Sequence, residues 1–198
     1  MQKKYIFPIL FFVLLTISYF CFKNHESHSL KKIEFVIEKP YLNLIRNLAK
    51  KDSLEKIIEK NGIEITNKKW HEFIVDVPDR VIRLRQYKLE GHFEFTVVKK
   101  DNYLGKLILP FEQKTLVDFQ DLIIKTKLIK PNDFVTFCEK KIKIYPKNKM
   151  TAIEVSSEIK IKKFIPFMFE ELMDKKVNEF NEQDINNFKE NLINISGS

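Results

Sequence analysis

The feature that most constrains this chain is a change of hydrophobic period near its C-terminal end. From Thr151 to Ile161 the residues Thr151, Ile153, Val155, Ser157, Ile159 and Ile161 alternate with Ala152, Glu154, Ser156, Glu158 and Lys160. A period of two sustained over that length is a strand with two unlike faces. From about Phe164 to Ile193 the apolar positions become Phe169, Leu172, Met173, Val177, Phe180, Ile185, Phe188 and Leu192, mostly three or four apart, which is helical spacing. Pro166 is tolerable in the first turn of such a helix. The step from Phe180 to Ile185 breaks the rhythm and predicts a kink, or a restart capped by Asn181. A helix of ~30 residues spans ~45 Å, more than a small sheet covers unless the sheet wraps around it.

The strands for such a sheet lie upstream. Ile33, Phe35 and Ile37 alternate with Glu34, Val36 and Glu38 until Pro40 stops the strand. Two short helices follow, one over Tyr41 to Lys50 and one opened by Ser53 through Leu54, Ile57 and Ile58, closed by Asn61 and Gly62. Strand alternation then returns at Phe73, Val75 and Val77, at Ile82 and Leu84, and at Phe93, Phe95 and Val97, with Gly91 at the turn before the last of these. Thr115 to Leu128 reads as a fourth strand with partial alternation, and Phe134 to Tyr145 as a fifth. Between them and the third strand, Asp101 to Gln113 reads either as a strand or as an apolar loop. Sequential antiparallel hairpins are the economical topology.

The N-terminal end has a different character. Lys3 and Lys4 precede an uncharged run from Tyr5 to Phe22, about 27 Å long as a helix and just short of a ~30 Å hydrocarbon core. A cleaved signal peptide and a retained anchor are both open readings. The run is longer than a usual secretory segment and ends in Tyr19, Phe20, Cys21 and Phe22 instead of small residues, so its length favours a signal anchor over residues 1–22. Lysines on both sides leave the topology open. Residues 23–30, polar and carrying His25 and His28, read as a solvated linker, and residues 31–195 as one folded domain.

Composition removes several classes of chemistry. With only 4 Gly, all isolated, the chain has no phosphate-cradling loop and no nucleophile elbow. Its 2 Cys, Cys21 and Cys138, are poor partners for a bridge. The net charge of +8 comes from 35 Lys and Arg against 27 Asp and Glu. Only Arg46, Arg80, Arg83 and Arg85 are arginines, and the lysines are interleaved with acids along the whole length, which argues against a specific nucleic-acid partner. Arg83 and Arg85 share a strand face that suits either a phosphate or plain solvent. No metal-ligand motif is present, no cofactor is implied, and no catalytic residue is assigned. By simple alternation His71 shares a face with Phe73 and Val75, and is the one base that could point inward. Lys160, Lys162 and Lys163 precede the apolar cluster Phe164, Ile165, Phe167, Met168 and Phe169, which either meets a membrane or is buried at the helix start.

The order of one strand, two short helices, a run of antiparallel strands and a long C-terminal helix resembles the α+β helix-grip fold of the START-like (SRPBCC) superfamily. That superfamily includes lipid-transfer domains, the birch-pollen-allergen family and polyketide cyclases. The resemblance rests on the opening strand Ile33 to Glu38, the helix pair before Gly62 and the amphipathic segment Phe164 to Leu192. It implies a curved antiparallel sheet around the last helix, with an internal cavity for a lipid or other hydrophobic small molecule. The implied lining is Phe73, Val75, Phe93, Phe95, Ile153, Val155, Phe169 and Met173, with Ser157 as its polar member. The expected function is membrane-tethered binding or transfer of such a ligand. A cyclase-like enzyme and a non-binding interaction module of the same fold are the alternatives.

Overall fold

A computed structural model describes residues 22–48, 64–76, 88–101, 105–118 and 121–197, together with Phe11. The expected anchor, apart from Phe11 and Phe22, lies outside these residues, as do the helix after Ser53 and the strand carrying Arg83 and Arg85. Among the described residues no helix is long and apolar enough to cross a membrane.

The strands are β1 (Phe22–Ile37), β2 (Glu64–Asp76), β3 (Lys88–Asp101), β4 (Gly105–Asp118), β5 (Asp121–Leu128), β6 (Val135–Lys147) and β7 (Met150–Pro166). They form one antiparallel sheet in the order β1-β7-β6-β5-β4-β3-β2. The meander from β2 to β7 follows the chain, and β1 returns to close against β7. Helix α1 spans Tyr41–Leu48, a single 3-10 turn spans Phe167–Phe169, and helix α2 spans Glu170–Gly197.

Several expected strand boundaries change, and Gly91, expected at a turn, lies within β3 opposite Phe73 and Thr115. The Thr115–Leu128 segment is two strands, reversing where Asp118 pairs with Asp121. The reversal exchanges the faces: Gln113 and Thr115 are buried before it, Leu122 and Ile124 after it. One alternation read through both strands therefore looks only partial. Asp101–Gln113 contributes β4, with Leu107, Leu109 and Phe111 inward.

The expected linker, residues 23–30, is the first half of β1, paired with β7 from Phe22 opposite Pro166 to Ile37 opposite Thr151. Its inward side chains are polar because they meet a polar stripe on α2. Lys23 Nζ lies 2.6 Å from Glu170, His25 Nε2 lies 2.8 Å from Asp174, Ser29 Oγ donates to Asn178 at 2.8 Å, and Lys31 Nζ donates to Glu182 at 3.3 Å. The helix residues recur every four positions, a rise of about 6 Å, against about 6.8 Å for every second residue of a strand. The strand runs ahead of the helix, covering ~27 Å from Lys23 to Lys31 against ~18 Å from Glu170 to Glu182, and the long lysine side chains at the two ends take up the difference. His25 and His28 are therefore paired side chains of a strand, His28 with Glu158.

Helix α2 runs unbroken through the expected kink. Val177, Asn181, Ile185, Phe188 and Leu192 are its buried stripe, so Asn181 occupies the position where the apolar pattern skipped. It is an interior residue and not a cap. Its amide donates to the Ser29 carbonyl, the Ser29 hydroxyl and the Ser157 carbonyl at 3.2, 3.1 and 3.1 Å. The C-terminal half of α2 packs with α1, β5, β6 and the far ends of β1 and β7, while Val177 packs with β2, β3 and β4. Trp70 packs against both clusters.

Candidate functional site

The inward face of β2, β3 and β4 carries a ladder of rings. Trp70 stacks on Phe93 at 4.4 Å, Phe93 on Phe95 at 5.0 Å, and Phe95 on Phe111 at 5.8 Å. Phe73 meets Trp70 edge-on at 5.0 Å. Such pairs contribute ~0.5–1.5 kcal/mol each beyond their area burial. Gly91, between inward Leu89 and Phe93, has no side chain to add to this wall. A Cβ there would lie 3.6 Å from both Trp70 and Phe73 and 3.7 Å from Thr115. Beside the rings the same face turns polar, with Gln113 and Thr115 buried on β4 and the Gln113 carbonyl oxygen accepting from Thr126 Oγ1 at 3.3 Å. An apolar wall ending in carboxamide and hydroxyl groups is the composition of a small-molecule pocket.

The residues expected to line a cavity divide. Phe93, Phe95, Ile153, Val155 and Ser157 are all buried on inward strand faces, Phe73 is half-buried against Trp70, and Met173 packs on the β2–β4 cluster from α2. Phe93 and Phe95 belong to that cluster, whereas Ile153 and Val155 belong to the one around α1 and the C-terminal half of α2. Two are not inside. Val75 is 43% exposed near the end of edge strand β2, and Phe169 is 45% exposed because it sits in the 3-10 turn ahead of α2. Trp70, Gln113 and Thr115 complete the wall. The sequence signal of Gln113 and Thr115 was the parity they share with Phe111, Leu109 and Leu107, hidden by the boundary drawn at Thr115.

His71 is also not inside. A bulge between Trp70 and Glu72 inserts it into β2, so that Trp70 faces Phe93 and Glu72 faces His92. The extra residue breaks simple alternation and carries His71 to the outer face. There its ring stacks on His92 at 4.5 Å and its Nε2 lies 3.1 Å from Glu94. His92 Nε2 lies 2.8 Å from Glu112, whose other neighbour is Lys114 at 2.9 Å. The Lys114 ammonium holds the Glu112 carboxyl below the usual range against the opposing effect of partial burial. Elsewhere, burial pushes the Cys138 thiol up to about 12, which leaves it protonated and unreactive at neutral pH.

One corner is apolar and exposed. Phe164, Phe167, Met168, Phe169 and Leu172 are between 45% and 66% exposed, and Phe22 stacks on Phe164 at 5.4 Å. Of the two readings open for this cluster, burial of the helix start does not account for Phe164, Phe167, Met168 and Phe169. Lys23, Lys162 and Lys163 flank it on β1 and β7.

A curved path of seven antiparallel strands, with one long C-terminal helix across the inward face, decides the architecture. The chain has a helix-grip fold. No protein-family model and no curated protein sequence matches it. Among solved structures, a protein of unknown function from Staphylococcus aureus is similar at 14% identity and a TM-score of 0.50, over 87% of this chain and 96% of that one. An uncharacterized protein from Rhizobium leguminosarum aligns over 88% of this chain and 98% of its own, at 10% identity and a TM-score of 0.49. An aromatase/cyclase from a Streptomyces species aligns over 87% and 92%, at 10% identity and a TM-score of 0.44. At 14% identity the likeness to the Staphylococcus aureus protein is one of fold alone.

Proposed function

We propose that the helix-grip interior binds a lipid or other hydrophobic small molecule, with its apolar body against the Trp70–Phe93–Phe95–Phe111 wall and its polar end toward Gln113 and Thr115. The observation that carries this reading is that rings, a side-chain-free Gly91 and two buried hydrogen-bonding residues share one inward face. Apolar burial supplies the binding energy at ~25 cal/mol per Å². Among the described residues, the buried side chains Ser27, Ser29, Gln113, Thr115, Thr151, Ser157 and Asn181 carry hydroxyls and carboxamides. They can donate to or accept from a ligand.

The same reading puts the protein at a membrane, as a single-pass protein held by the Tyr5–Phe22 segment. Its support is the uncharged run itself and the point at which it meets the described fold: Phe22 stacks into the exposed apolar corner, among lysines suited to anionic headgroups.

Native mass spectrometry with solvent extraction, on full-length protein purified in mild detergent, tests the binding. A stoichiometric hydrophobic molecule that survives purification is the expected result. Protein that is empty from every source and stays empty after incubation with membrane extract would overturn the reading.

A further inference from the structure

We infer that His71, His92 and Glu94 form a binding site for a divalent transition-metal ion on the outer face of β2 and β3, on the other side of the sheet from the proposed ligand site. One ligand atom from each of the three lies within 4.8 Å of the others. The bulge in β2 is what creates the group: it turns His71 outward beside His92, while Glu94, two residues from His92, shares the outer face of β3. The stacked rings, 4.5 Å apart and inclined by 27°, present both imidazoles to the same space.

The chemistry suits a borderline cation. Two neutral imidazoles and a carboxylate are zinc-type ligands, and three protein ligands leave a further position for water. A tetrahedral ion with bonds of ~2.0–2.1 Å holds its ligand atoms about 3.4 Å apart. His71 Nε2 and Glu94 Oε1 are already at 3.1 Å, and the remaining closure is about an ångström of side-chain rotation on a paired sheet. His92 Nε2 is shielded from solvent and lies 2.8 Å from the Glu112 carboxylate. Glu112 adds a second negative charge at the rim, tempered by Lys114. The site is distributed over two strands and depends on a bulge, so no sequence motif announces it.

Zinc titration of the full-length, untagged protein by calorimetry at neutral pH tests the inference. The expected result is one zinc per chain, with affinity weakened about tenfold or more in His71→Ala, His92→Ala and Glu94→Gln, and unchanged in His28→Ala on distant β1. Absence of zinc binding, or binding that His71→Ala and His92→Ala leave unaltered, would overturn it. Cobalt titration of the unsubstituted protein gives an independent reading should a variant fail to fold. Visible absorption typical of four-coordinate nitrogen and oxygen ligation is expected, and a six-coordinate aqueous spectrum at saturation counts against the site.

Discussion

The Asn181 carboxamide donates across the interface of α2 and β7 to the backbone carbonyl of Ser157 at 3.1 Å, from the centre of the helix's buried stripe. Two further bonds reach Ser29, so one polar side chain joins the helix to both β1 and β7. Truncation removes the donor that these buried acceptors share. Asn181→Ala is expected to lower unfolding stability by about 2–3 kcal/mol, read from the urea midpoint. Asn181→Leu should not recover the loss, since it restores volume but no donor. A loss under about 0.5 kcal/mol in either variant would show that the helix does not depend on these bonds.

Gly91 separates packing from binding. Its notional Cβ makes ordinary contacts at 3.6–3.7 Å, so Gly91→Ala should fold with stability equal to the original or higher by about 0.5–1 kcal/mol. Gly91→Leu extends into the space shared by Trp70, Phe73 and Thr115 and should abolish the ligand signal in native mass spectra. Full ligand occupancy in Gly91→Leu would move the binding site elsewhere.

The exposed corner is testable without disturbing the core. Met168 is 66% exposed, so Met168→Cys should cost no more than about 0.5 kcal/mol. In a Cys21→Ser background, an environment-sensitive fluorophore at that position should shift to the blue on vesicles containing phosphatidylserine. The same label on Met150→Cys, at the start of β7, should not. Cys138, its thiol raised to about 12 by burial, should remain unlabelled in the folded protein. Equal emission shifts at both positions would remove the corner's claim to be the membrane face.

Tyr145 predicts an alkaline effect. Its hydroxyl donates to Glu154 at 3.1 Å and Glu34 at 3.2 Å, and desolvation together with these two carboxylates pushes the phenol up to about 12 from an ordinary 10. Because the folded value is the higher one, the stabilisation is complete below pH 10 and is lost as the pH rises through about 12. The difference in phenolate absorbance between the original protein and Tyr145→Phe should titrate near 12. The Tyr145→Phe variant should also lose less stability across that interval. A midpoint near 10 would mean that the two carboxylates do not bear on the phenol.

The elements that were legible from the sequence are those whose two faces differ in polarity. β7 reads directly from Thr151 to Ile161 because every second residue meets apolar core, and α2 reads from Val177 to Leu192 because its stripe is mostly aliphatic and aromatic. Phe93, Phe95, Ile153 and Val155 were found inside for the same reason. The order of elements was enough to point to the helix-grip architecture.

What stayed illegible depends on partners remote in the chain. The first half of β1 looks like a linker because both of its faces are polar, and only contact with the Glu170–Asp174–Asn178–Glu182 stripe of α2 makes it a packed strand. Asn181 looks like a helix stop until the Ser29 and Ser157 acceptors are brought to it. His71 looks inward until a single inserted residue in β2 reverses its face and sets it beside His92 and Glu94. Periodicity reports the contrast between the two sides of an element. It carries no information about polar surfaces that are buried against other polar surfaces, or about a bulge whose only cause is the pairing of the neighbouring strand.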